Sequence, residues 1–119
     1  MAAPVVWFEI AGRDLEGMRK FYGDLLGWKL DADNPVQYGL VDTGAEGGIP
    51  GGIFAPGEGV EYVTFYAEVP DIKASLAQAE KLGAKVVAEP MEVMGGSTVA
   101  LIHDPEGHAV GLIQPPAEG

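Results

Sequence analysis

The chain has 119 residues, no cysteine and a formal net charge of −11, with 47% hydrophobic and 21% charged residues. That suits a single domain over 1–119 with a core of its own, and it excludes disulfides and thiolate chemistry. The acidic balance argues against nucleic acid. With no apolar run near the roughly 18 residues of a membrane span and no signal-peptide pattern, it predicts a cytoplasmic protein without a membrane partner.

In chain order, residues 5–11, V-V-W-F-E-I-A, are β-branched and aromatic and predict a strand. Gly12-Arg13 breaks it, and Asp14 is placed to cap a helix near 14–26. Leu15, Met18, Phe21, Tyr22, Leu25 and Leu26 recur at helical spacing as one apolar stripe, and Gly27 is the stop. Residues 28–30 and 36–42 predict short strands around Asp33-Asn34-Pro35. Residues 44–52 are too glycine-rich for regular structure and lack the Lys and Ser/Thr of a phosphate-binding loop. A fourth strand follows near 52–55.

The same order then recurs. Residues 62–69 form a strand, Asp71 a cap, and Ile72, Leu76, Ala79 and Leu82 the stripe of a helix near 71–82 that Gly83 ends. Residues 85–88, 98–103 and 109–114 complete the set. Superposition pairs Trp7 with Thr64, Asp14 with Asp71 and Gly52 with Gly111, so the inference is an α+β chain of two βαβββ modules, about 4–56 and 60–116. The last two strands flank Asp104-Pro105-Glu106-Gly107, the order a type I turn favours. His108 follows, where left-handed backbone is tolerated better than at most residues.

The hairpin D-P-E-G-H-A-V-G-L-I-Q resembles the closing hairpin of the vicinal oxygen chelate superfamily, which includes glyoxalase I, extradiol dioxygenases and bleomycin-resistance proteins. W-F-E-I and F-Y-G-D-L-L-G-W resemble that family's first strand and helix ending, and E-V-P-D-I its second strand-to-helix junction. The resemblance implies modules whose strands form an open, cup-shaped mixed sheet with helices outside, and chains that pair as homodimers. In metal-using relatives the ligands come from four places, which here are Trp7, Gly52, Thr64 and Gly111. Tryptophan has no lone pair to offer, glycine has no side chain, and threonine is a poor ligand for metals that take imidazole and carboxylate. The expectation is a site with no metal and no cofactor.

Strand alternation sorts the remaining candidates by face. Phe8, Ile10, Phe65 and Val69 are expected against the helices. Trp7, Glu9, Phe54, Tyr62, Thr64, Tyr66, Glu68, Gly111 and Ile113 are expected on the cup face. Of these, Trp7, Glu9, Phe54, Tyr62, Thr64, Tyr66 and Gly111 are the candidate ligand-binding set. Glu9 is either a catalytic general base or a structural or ligand-anchoring carboxylate bonded, for example, to a tyrosine hydroxyl. His103 and His108 flank the turn and read as surface residues, with a two-histidine metal site as the lesser alternative. The functional expectation is a metal-independent binder of a small organic ligand, cationic or aromatic, of the glyoxalase/bleomycin-resistance type. The alternatives are a metal-free lyase, isomerase or hydroxylase-like enzyme, and a non-catalytic accessory or regulatory protein.

Overall fold

A computed structural model describes residues 2–34, 37–93 and 95–117. The elements run β1 (Val5–Ala11), α1 (Leu15–Leu26), β2 (Lys29–Asp31), β3 (Gly39–Asp42), β4 (Gly51–Phe54), β5 (Tyr62–Glu68), α2 (Ile72–Lys81), β6 (Lys85–Glu92), β7 (Thr98–His103) and β8 (Ala109–Gln114). This is βαβββ twice over, the α+β pattern predicted. The chain divides into two compact units, residues 7–63 and residues 1–6 with 64–119. No helix among the described residues is long and apolar enough to cross a membrane.

In the first unit the strand order is β2-β3-β4-β1, with β1 parallel to β4 and β3 antiparallel to both neighbours. Asp14 caps α1 by accepting from Gly17 N at 3.0 Å, an interaction worth roughly 0.5–2 kcal/mol. Gly27 ends the helix in left-handed geometry, φ 72°, donating to Gly23 O. The core is Ile10, Leu30, Val41 and Ile53, with Phe8, Leu15, Met18, Tyr22 and Trp28 packed on it. Tyr22 stacks on Trp28 at 5.3 Å. The α1 stripe is only half used: Phe21, Leu25 and Leu26 are exposed, because the sheet covers the side of α1 that carries Leu15, Met18 and Tyr22. The strand predicted over 36–42 is observed from Gly39, Pro35 and Val36 lying outside the described residues.

In the second unit the order is β5-β8-β7-β6, with β5 parallel to β8 and β7 antiparallel to β8 and β6. Its core is Val69, Ile72, Leu76, Ala100, Ile102 and Leu112. Asp71 caps α2 through Ala74 N. At the other end Gly83 N reaches Glu80 O and Ala84 N reaches Ala79 O. That is a Schellman ending, and it leaves Leu82, predicted in the stripe, 70% exposed at the cap. Phe65 has the predicted parity but is 42% exposed, since helix-side packing on β5 begins at Ala67. β6 runs beyond 88 to Glu92 with two register shifts, between Val86 and Ala88 and between Ala88 and Met91, and the second accommodates Pro90, as the outermost strand of its unit allows. In the hairpin, Gly107 takes the positive φ (91°) and donates to Asp104 O. Gln37 is the one non-glycine residue with positive φ among those described, so the left-handed geometry anticipated at His108 does not occur. The glycine ahead of it makes the reversal.

Candidate functional site

The first unit gathers four aromatic side chains around one carboxylate. Trp7 and Glu9 share a face of β1, opposite Phe8 and Ile10, and Glu9 pairs in register with Gly52. Glu9 is 7% exposed. Its carboxylate accepts from the Tyr38 hydroxyl at 2.5 Å and, on its other oxygen, from the Tyr62 hydroxyl. Trp7 Nε1 donates to the Tyr38 oxygen at 3.1 Å. The Phe54 ring lies 5.3 Å from that of Tyr38 and 6.4 Å from that of Tyr62. Trp7, Tyr38, Phe54 and Tyr62 each stay partly exposed, whereas the carboxylate among them is buried. A buried charge of this kind requires hydrogen-bond donors, and charge-assisted bonds to phenols supply them.

Tyr38 is the residue that sequence reasoning passes over. It is set by Asn34, whose Nδ2 donates to Tyr38 O at 2.7 Å and whose Oδ1 accepts from Tyr38 N at 3.0 Å. Gln37, between them, adopts φ 54°, which costs a non-glycine residue about 1–2 kcal/mol. The strand opposite makes room. A β-carbon at Gly52 would lie 1.9 Å from the Tyr38 hydroxyl oxygen, and one at Gly51 would lie 2.3 Å from the Phe8 ring on the other face. The adjacent glycines thus admit one ring on each side of β4. That was the available signal, because a glycine inside a strand marks close approach of another group.

Of the candidate set, Trp7, Glu9, Phe54 and Tyr62 come together here. Thr64, Tyr66 and Gly111 belong to the second unit, where Thr64 Oγ1 donates to Ala109 O at 2.6 Å. Tyr66 pairs with Gly111, and a β-carbon at Gly111 would meet the Tyr66 ring at 2.6 Å. Glu68 lies in the same strand, level with Ile113. At the edge of the first unit Arg13 Nε bonds Glu61 at 2.7 Å, and that hydrogen bond first, then the charge, raises the guanidinium pKa. A depression of about 680 Å³ is lined by Arg13, Asp14, Glu16, Arg19, Asp31 and Gln37, with none of the aromatic cluster.

The residues at the four places do not fit a metal. Trp7 presents an N–H that already donates to Tyr38, and the space a Gly52 side chain would need holds the Tyr38 hydroxyl. Thr64 donates to a backbone carbonyl, and the Gly111 side-chain position holds the Tyr66 ring. His108 is tied by its Nδ1 to Asp104 at 3.1 Å, on an exposed turn. No group of three or more His, Asp or Glu side chains among the described residues could hold an ion.

Comparison with known proteins agrees with this architecture. CFP32 of Mycobacterium tuberculosis, whose name carries the word glyoxylase, is 29% identical over 116 residues; the match covers 91% of this chain but 44% of that protein. The chain thus spans under half the length of that relative. A glyoxylase-like domain-containing protein of Didymella fabae is 32% identical over 118 residues, covering 86% of this chain and 88% of that one. Among solved structures, methylmalonyl-CoA epimerase from Mycobacterium tuberculosis superposes with a TM-score of 0.67 at 20% identity, over 98% of this chain and 90% of that one. The sequence profile described as glyoxalase-like domain matches residues 7–113. The chain therefore belongs to the glyoxalase-like domain family.

Proposed function

We propose that the first unit carries a metal-independent binding site for a small organic ligand, planar or amphipathic and positively charged. The observation behind this reading is the direction of the hydrogen bonds around Glu9. The Trp7 N–H points to the Tyr38 oxygen, and the Tyr38 and Tyr62 hydroxyls point to the carboxylate. Any further hydrogen bond those oxygens make is one they accept. A ligand reaching the cluster meets acceptors, a formal negative charge and partly exposed rings, a combination that suits a cation stacked on an aromatic face.

Tryptophan fluorescence tests it with a panel of cationic, neutral and anionic aromatics. Trp28 packs on Phe8 and Tyr22 but is partly exposed like Trp7, so the titrations use a Trp28→Phe background in which Trp7 is the reporter. Cations should bind most tightly, and equally well after exhaustive dialysis against a chelator. Losing a charge-assisted hydrogen bond is worth about 1.5–3 kcal/mol, so Glu9→Gln should weaken cation binding roughly tenfold or more. Trp7→Phe, which removes the reporter and is therefore titrated by calorimetry, should weaken it less, by about 0.5–1.5 kcal/mol. A preference for anions, indifferent to Glu9→Gln, would overturn the proposal.

A second reading rests on the same contacts. A carboxylate bridging two phenols is a proton-transfer set, and this fold also carries an epimerase. A metal-free isomerase or lyase with Glu9 as general base would show turnover that Glu9→Gln abolishes, with binding largely retained.

A further inference from the structure

The aromatic cluster of the first unit presents its charge indirectly. The Glu9 carboxylate is buried, while the rings of Trp7, Tyr38, Phe54 and Tyr62 stay partly exposed. Each carboxylate oxygen accepts from a phenol, Oε2 from Tyr38 and Oε1 from Tyr62. We infer, resting on the cation site proposed above, that its ligand is a quaternary ammonium ion, a cation with no N–H, and that Tyr38 and Tyr62 select it by covering the Glu9 oxygens.

Hydrogen-bond donors separate the possible cations. Primary ammonium and guanidinium groups both carry several N–H donors. On leaving water either needs acceptors in exchange, because a donor left unmet is costly. A guanidinium is best served by both oxygens of a carboxylate together, and here each of those oxygens takes a phenol. The Tyr38 oxygen in turn already accepts from Trp7 Nε1 at 3.1 Å. What the cluster exposes is ring surface. Phe54 lies 5.3 Å from Tyr38 and 6.4 Å from Tyr62, centroid to centroid, so the three rings form one continuous patch. A trimethylammonium group gives up no N–H bond to water on reaching such a patch, and its methyl groups carry the positive charge onto the ring faces. The Glu9 charge adds an attraction that needs no contact, since Coulomb energy falls only with the first power of distance and is least screened at a buried group.

Benzylammonium and benzyltrimethylammonium share a skeleton and a charge and differ in N–H content, so the pair isolates this effect. Titrated by Trp7 fluorescence in the Trp28→Phe background, the quaternary ion should bind roughly tenfold more tightly, with benzyldimethylammonium between the two. Tyr62→Phe keeps the ring and uncovers one Glu9 oxygen. It should raise the affinity for benzylammonium and narrow the ratio to about threefold or less. The methylation series requires no change among the cluster residues, so it decides the matter even where Tyr62→Phe fails to fold. Benzylammonium binding as tightly as the quaternary ion overturns the inference and leaves the cation site standing. So does a ratio that a folded Tyr62→Phe chain leaves unchanged. If none of the three cations binds, the cation site itself fails, and the inference with it.

Discussion

A β-carbon at Gly52 would lie 1.9 Å from the Tyr38 hydroxyl oxygen, so the identity of one residue fixes the pose of the other. Gly52→Ala should therefore push Tyr38 off Glu9 and destabilise the fold, by about 1–3 kcal/mol for overpacking. In a Tyr38→Ala background the same change should be nearly neutral, a coupling that a double-mutant cycle read by urea denaturation would measure. Equal losses in both backgrounds would mean that Gly52 serves the β4 backbone instead. This coupling also marks the limit of what the sequence reveals at the residue scale. Trp7, Glu9, Phe54 and Tyr62 could be brought together on paper because strand parity is local. Tyr38 could not, because its placement depends on the Asn34 clamp and on the left-handed Gln37, neither of which has a periodic signature.

At the scale of elements, caps, stops and turns were the legible features, since each is decided within a few residues. Asp14, Asp71 and Gly27 sit where their chemistry puts them. Spacing was less informative about depth: it identified the stripe of α1 but not that the sheet stops short of Phe21 and Leu25. The β7–β8 turn is the clearest local case. One Asp104 oxygen accepts from Glu106 N and His108 N, each at 2.9 Å, and the other faces the His108 ring. The His108 backbone bond is the chief reason that the Asp104 carboxyl titrates below its ordinary 3.8. A folded pKa below the unfolded one contributes stability that is fully present above pH 3.8 and lost as pH falls through the depressed value. The amides of Glu106 and His108 should thus lose hydrogen-exchange protection as pH drops below 3.8, after correction for intrinsic rates. Asp104→Ala should remove that pH dependence; its persistence in the variant would assign it to another group.

For the whole molecule, the repeat was legible because the same cap, stripe and stop order occurs twice, and the two units have corresponding strand orders and registers. Their chemistry diverges at corresponding positions, Glu9 facing Gly52 in one and Tyr66 facing Gly111 in the other. Net charge is the remaining global property, with 18 acidic and 7 basic residues. Arg13, Arg19 and Lys20 are engaged in exposed ion pairs, which contribute little to stability, and they leave the acidic excess untouched. Repulsion among these carboxylates should oppose the compact state, and salt screens it over a distance of about 10 Å at 0.1 M. Raising sodium chloride from about 0.02 to 0.5 M should therefore increase Tm by a few degrees. Chloride is the appropriate anion, because sulfate would also strengthen apolar burial. Binding of an organic cation should respond in the opposite sense, since the same screening weakens its attraction to an acidic surface. Calorimetry and the fluorescence titration, run in the same buffers, would compare the two. A Tm that falls with salt would show that the ion pairs outweigh the repulsion, and cation affinity that rises with salt would remove electrostatics from the account of the site.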